Sequence, residues 1–259
     1  RLLWAACLRL DPAAADRWRH AASGLTERYR GEPERWLDLP ALGPEPRILV
    51  APAPALGVPG VREVPGAAPD PEVAALAPDR PGWPWEPLAA LTTQVLRLAV
   101  VDPAACHALE GLRVSGLHRL ADLQTWADYR AEVHRRLAAF AATEAGSAAA
   151  LRAHRLVDEA ICSVVHRPPA HPRSWWARLA QHSRDLLHEH VRRARAAGLD
   201  AEMRVLEIKP YVELRGYSGG RDIPYRVDRA RTGEILACLR TWLRIGPEVL
   251  SGRVIYGGE

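Results

Sequence analysis

An α+β fold is expected for this 259-residue chain, with a helix-rich central region followed by a C-terminal mixed α/β module. Three observations carry that expectation. Between residues 88 and 198 the apolar residues recur at helical spacing. Thirteen prolines between Pro40 and Pro87 exclude a long helix or a central strand from that tract. After Gly198, in "AEMRVLEIKPYVELR", the period changes to the alternation of a strand. The organisation that follows is an N-terminal strand–helix segment over 1–39, a Pro-rich wrap or linker over 40–87, a helical region over 88–198 and a strand–hairpin–helix–strand module over 199–259. At 48% hydrophobic residues the chain can bury a substantial core.

Taken in order, "LLWAACLRL" at 2–10 reads as a buried strand. Asp11 is the N-cap of the helix that follows, Pro12 suits its first turn, and Trp18, Ala22 and Leu25 share a face. "RILVAPA" at 47–53 reads as a second strand. The Pro-rich tract ends in "PGWPWEP", whose Trp83 and Trp85 require burial, so the tract is expected to dock on the body of the protein. "PLAALTTQVLRLAVV" starts the helical region. A second helix follows, with Leu120, Leu123, Trp126, Tyr129 or Ala131, Val133 and Leu137 near helical spacing. "SAAALRAHRLVDEAICSVVH" is a third, stopped by "RPPAHP". In the fourth, Trp176, Leu179, Ser183, Leu186, Leu187, His190, Val191 and Ala194 form one stripe, and Gly198 is the stop. Beyond it a strand is expected through 201–209, then a turn at "GYSGG", a returning strand "DIPYRV", a helix "TGEILACLRTWLRI" with Thr232 as N-cap, and a final strand "GRVIYG".

Composition narrows the function classes. The chain has 34 arginines, one lysine and no asparagine, the usage of a high-GC, bacterial-type coding sequence. A net charge of +4 permits an anionic partner without demanding one. Cys7, Cys106, Cys162 and Cys238 are scattered without a CxxC, which argues against a zinc ribbon or a redox pair and fits reduced thiols in the cytoplasm. No apolar run has the length of a membrane span.

Four constellations invite a chemical reading, and none keeps it. His188 and His190 point about 200° apart on a helix and cannot share a metal. His182, Asp185 and Glu189 share the polar face, His154, Asp158 and Cys162 align at four-residue spacing, and no HExxH is present. "GYSGG" matches G-x-S-x-G around Ser218, but Pro224 follows where a nucleophile elbow needs a helix, and no histidine lies after His190.

Two features remain. Arg178, Arg184, Arg192, Arg193 and Arg195 lie on or near one helix and can neutralise the phosphates of nucleic acid. Asp200, Glu207 and Lys209 gather two carboxylates and the only lysine, with alternation placing Val205, Glu207 and Lys209 on one side of a strand. Asp200, six intervening residues and then Glu207-Ile208-Lys209 resembles the PD-(D/E)xK nucleases, in which an Asp precedes a strand bearing Glu-x-Lys. The resemblance implies a Mg²⁺-dependent phosphodiesterase acting on nucleic acid. Asp200 and Glu207 would hold the metal, and Lys209 would orient the attacking water. The alternative is a non-catalytic binding or scaffold protein that meets a protein partner through its Trp- and Pro-rich surfaces.

Overall fold

The computed structural model describes residues 6–18, 20, 70–78, 83–100, 102–112, 116–207, 210–227 and 229–258. Its elements in chain order are α1 (Pro71–Ala74), α2 (Trp85–Ala99), β1 (Ala105–His107), β2 (His118–Arg119), α3 (Leu123–Ala141), α4 (Ala148–Cys162), β3 (Val164–His166) and α5 (Trp175–Ala196). The C-terminal part continues with β4 (Ala201–Arg204), α6 (Tyr211–Leu214), β5 (Ile223–Arg226), a 3₁₀ turn (Arg229–Arg231), β6 (Ile235–Arg240), β7 (Trp242–Ile245), β8 (Glu248–Leu250) and β9 (Arg253–Gly258). The class is α+β, with the strands concentrated after α5.

The long helices start where the sequence supplies an acceptor for their free N–H groups. Asp122 accepts from Thr125 N at 2.8 Å, Ser147 from Ala150 N at 3.0 Å and Ser174 from Ala177 N at 3.2 Å. Gly198, at φ +96°, ends α5 in the left-handed region that side chains disfavour. The largest core joins α2 (Leu88, Leu91, Val95), α3 (Tyr129, Val133, Leu137), α4 (Val157, Ile161) and α5 (Trp175, Trp176, Leu179). Each such fully buried apolar side chain contributes about 1.5–3 kcal/mol. The helix stripes come out as the spacing predicts, with Leu123 as the exception, 85% exposed in the first turn of α3.

The strands form three small sheets, ordered β2-β1-β3, β4-β7-β8 and β5-β9-β6. All pairs are antiparallel except β5 with β9, which is parallel. Helices α4 and α5 stand between the helical core and the C-terminal strands. Leu151, Val191 and Ala194 pack against Ala201, Leu243 and Ile245 of the β4–β7 ladder. Helix α4 is buried nearly all round, with neighbours on both sides, and the side chains it buries include His154, Arg155, Asp158 and Glu159.

Several expectations are corrected. Residues 6–10 form a helical turn rather than a strand, with Arg9 N bonded to Ala6 O and Leu10 N to Cys7 O. The helical region also contains the β2-β1-β3 sheet. "TGEILACLRTWLRI" is not a helix: it is β6 and β7, and Cys238 and Leu239 are both buried because opposite faces of that strand pack on different neighbours. Short apolar runs of this kind fit either period. "DIPYRV" does not return along β4; as β5 it pairs with β9. Asp11 does cap residues 12–18, accepting from Ala13 N. Ala22, Leu25 and the strand expected at 47–53 lie outside the described residues. So does most of the Pro-rich tract, but its described end docks as expected: Val73 and Trp85 are core residues.

Buried charge holds the two halves in register. Glu159 of α4 is fully buried. It accepts from Arg136 of α3 at 2.8 Å and lies 3.4 Å from Arg240 of β6. Arg240 also reaches Glu110, which in turn takes Arg221. Burial alone would raise the Glu110 carboxyl, and the Arg221 and Arg240 guanidinium groups outweigh it and hold it below its ordinary pKa. Arg155 donates to the carbonyls of Thr241, Leu250 and Ser251. A second buried pair, His154 and His190, joins α4 to α5 with Nδ1 atoms 2.9 Å apart, so one ring donates and the other accepts. Burial lowers both, His190 to about 4.

Replacing Glu159 with Ala removes the acid that Arg136 and Arg240 share, though Arg136 keeps Glu132 and Arg240 keeps Glu110, and a loss of about 1–3 kcal/mol in urea unfolding is expected. The half-exposed Arg152–Glu248 pair is the control, with Arg152→Ala costing under about 1 kcal/mol. The histidine pair sets an acid limit. Both folded pKa values lie below the ordinary 6.5, so the pair's contribution is complete above pH 6.5 and is lost as pH falls towards 4. Thermal unfolding between pH 7 and 4 should show this fall, and His154→Phe should flatten it.

Candidate functional site

A concavity whose lining includes buried unpaired donors lies between the N-terminal half of α5, strand β3 and the β5-β9-β6 sheet. It has a volume of about 470 Å³. Its walls are mainly apolar, from Leu117, Val165, Trp176, Tyr225, Leu236 and Ile255 among others. Helix α5 creates the space through its small residues. Ala177 and Ala180 face the hollow beside Arg178, Gln181 and Arg184, on a stripe next to the one that packs in the core.

Several polar atoms of the residues that line this hollow are donors without partners among the described residues. Arg178 has Nε and Nη2 buried with no hydrogen-bond partner among the described residues. Burial accordingly lowers its pKa with no opposing acid. Trp176, 5% exposed, leaves its indole N–H unpaired. Arg184, 8% exposed, donates Nη2 to Cys238 O at 2.7 Å and Nη1 to Glu207, while its Nε is unpaired. Behind Arg184, Asp158 accepts from Ser183 Oγ at 2.7 Å and from the Cys162 thiol at 3.5 Å. Burial raises the pKa of Asp158 and pushes that of the Cys162 thiol well up. His166 on β3 lines the hollow with its Nε2 3.4 Å from Asp102 Oδ2, an oxygen that also meets Arg9 Nε at 3.1 Å.

The five arginines singled out on α5 therefore divide. Arg178 and Arg184 belong to the hollow. Arg192 and Arg193 both pair with Glu189 and hold its carboxyl down to about 2, and Arg193 lies 3.9 Å over the Trp83 ring. Arg195 is exposed. Trp83 also packs edge-on to His190, and Trp85 is buried in the chain's own core, so Trp85 is not open to a partner.

Asp200 and Glu207 are not brought together. Asp200 is exposed and paired with Arg244 of β7 at 2.7 Å; Arg244 first, and Arg195 of α5 to a smaller extent, hold its carboxyl below the ordinary pKa. Glu207 pairs with Arg184. Those two α5 positions are eleven residues apart, about 16 Å along a helix axis. The strand expected through 209 ends at Arg204, and Lys209 lies outside the described residues. Two carboxylates so placed, each bonded to a guanidinium, do not fit one shared Mg²⁺. A group that can hold a metal ion lies elsewhere: ligand atoms of Asp70, Glu72 and His134 fall within 4.8 Å of one another. Arg130 and His134 Nδ1 already take the two oxygens of Glu72.

Among the described residues no helix is long and apolar enough to cross a membrane. Comparison with protein-family models, with curated proteins and with solved structures gives no match.

The sequence singled out Arg178, Arg184 and Glu207 but gave no sign that they line one hollow, since its far wall comes from strands β5, β6 and β9. Trp176 read as core, and the unpaired state of its N–H depends on what faces it.

Stability should separate the two arginines. Arg178→Leu removes a desolvated charge that has no partner and is expected to raise stability by up to about 1 kcal/mol. Arg184→Leu strands Glu207 and the Cys238 carbonyl and should cost about 2–4 kcal/mol. Chemical denaturation of both variants checks the opposite signs.

Proposed function

We propose that the chain binds a small organic anion, a carboxylate or phosphate with an apolar body, in the hollow between α5 and the C-terminal strands. The observation that carries this reading is the set of unpaired, buried N–H groups of Trp176, Arg178 and Arg184 in an apolar hollow of about 470 Å³. A buried guanidinium without an acceptor is costly, and an anion supplies the acceptor. The volume falls in the range of pockets for small molecules. A planar guanidinium suits carboxylate and phosphate equally, so the geometry supports the class and leaves both members in it.

The Mg²⁺-dependent phosphodiesterase expected from Asp200, Glu207 and Lys209 shares Arg178, Arg184 and Glu207 with this reading and enters the same experiment. The protein is titrated with 3-phenylpropanoate, phenyl phosphate and inorganic phosphate while its melting temperature is recorded. It is also incubated with DNA and RNA in the presence of Mg²⁺. An organic anion is expected to raise the melting temperature, by an amount that grows with the logarithm of its concentration above Kd. Arg178→Ala should weaken binding at least tenfold, and Ala180→Leu, which fills the hollow and keeps every charge, should abolish it. No response to any anion, or an equal response in Arg178→Ala, overturns the anion reading. Nucleic-acid cleavage that is lost in Glu207→Gln would replace it with the phosphodiesterase.

A further inference from the structure

One side chain in the hollow has the wrong charge for a simple anion site. Among the described residues that line it, Glu207 is the only carboxylate. Its side chain is 34% exposed, and Oε1 takes the hydrogen bond from Arg184. Oε2 has no hydrogen-bond partner among the described residues. Arg184 and Glu207 compensate each other, so the net attraction for an anion comes from Arg178, and an acceptor without a partner among the described residues belongs to the same lining. Gln181, the other flexible polar group on this face, turns its Nε2 to Asp185 at 2.9 Å.

The polar inventory is thus a cationic group and indole N–H without acceptors, and one carboxylate oxygen without a donor. Its complement is a molecule that carries both an anionic group and a cationic donor. A plain fatty or aromatic acid would leave Glu207 Oε2 unmet and close to a like charge once water is expelled. A ligand with an ammonium turns that repulsion into a charge-assisted hydrogen bond.

Resting on the anion-binding reading, we infer that the ligand is a zwitterion with an apolar body, an amino acid or short peptide with an aromatic or branched side chain. Arg178 and the Trp176 N–H take its carboxylate, Glu207 takes its ammonium, and Leu117, Tyr225, Leu236 and Ile255 hold the side chain. Glu207 is then the residue that sets specificity, and Arg184 positions it.

The test compares ligands matched in shape. The full chain is titrated calorimetrically with phenylalanine, glycyl-phenylalanine, N-acetylphenylalanine and 3-phenylpropanoate. At least one of the two zwitterions is expected to bind five times or more tighter than both N-acetylphenylalanine and 3-phenylpropanoate. Glu207→Gln should remove that preference. The ligand series carries the conclusion by itself if the variant fails to fold. Should 3-phenylpropanoate bind as tightly as the zwitterions, the inference about Glu207 is overturned and the anion site stands. Should none of the four bind, and phosphate esters not bind either, both readings fall. A preference for zwitterions that survives in a folded Glu207→Gln also overturns the assignment to Glu207.

Discussion

The buried carboxylate of Glu159 is the constraint on which the rest of this structure depends. It sits on α4, in the middle of the chain, with no access to solvent, and its two cationic partners come from opposite sides. Arg136 arrives from the helical core and Arg240 from the C-terminal strands. A charge in that position must be matched, because an unpaired ion in a low-dielectric interior is worth several kcal/mol of destabilisation. Apolar packing alone would let a helix layer and a strand layer slide, whereas paired charges fix one alignment. Arg155, which reaches three carbonyls of the strands from the same helix, fixes the same alignment from a second point.

The hollow beside α5 follows from that alignment. With α4 held against β6, helix α5 can fill the groove next to it only as far as its side chains extend. Its core stripe is large, with Trp175, Trp176, Leu179 and Leu187. The adjacent stripe is small or polar, with Ala177, Ala180, Gln181 and Arg184, and the space it leaves is bounded by the apolar faces of β3, β5, β6 and β9. A cavity of that kind is usually lined by apolar atoms alone. Here two arginines in its wall have hydrogen-bonding atoms unmet among the described residues, a local conflict with the satisfied polar contacts that prevail elsewhere. Such conflicts tend to mark sites whose missing partner is a ligand.

How much was legible in the sequence depended on whether the signal was local. Helices α3, α4 and α5 were readable because their stripes persist over four to six turns and Gly198 stops the last; the caps Asp122, Ser147 and Ser174 were local signals of the same kind that went unread. Strands β6 and β7 were not readable. "ILACLRTWLRI" satisfies a helical stripe as well as a strand buried on both faces, and what decides is the pairing with β9 and β4, which lie far away in the sequence. The same limit applied to the site. Spacing alone put Asp200 just ahead of a short strand bearing Glu207, but the ladder with β7 ends at Arg204, and the two acids pair with different elements, Asp200 with Arg244 of β7 and Glu207 with Arg184 of α5. The arginines of α5 read as one cationic face, and their separation into a pocket pair and a surface group is set by Glu189 and Trp83, partners that spacing does not reveal.

The central claim is that unpaired N–H groups in this hollow await an anion, and the nuclear magnetic resonance of those groups tests it most directly. The Trp176 Nε1–H and Arg178 Nε–H signals, assigned through their substitution variants, are followed while 3-phenylpropanoate is added. The account predicts that both move together with one saturating curve, while the indole signals of Trp126 and Trp242, away from the hollow, stay in place. Saturation that moves the indoles of Trp126 or Trp242 and leaves Trp176 and Arg178 untouched would contradict it.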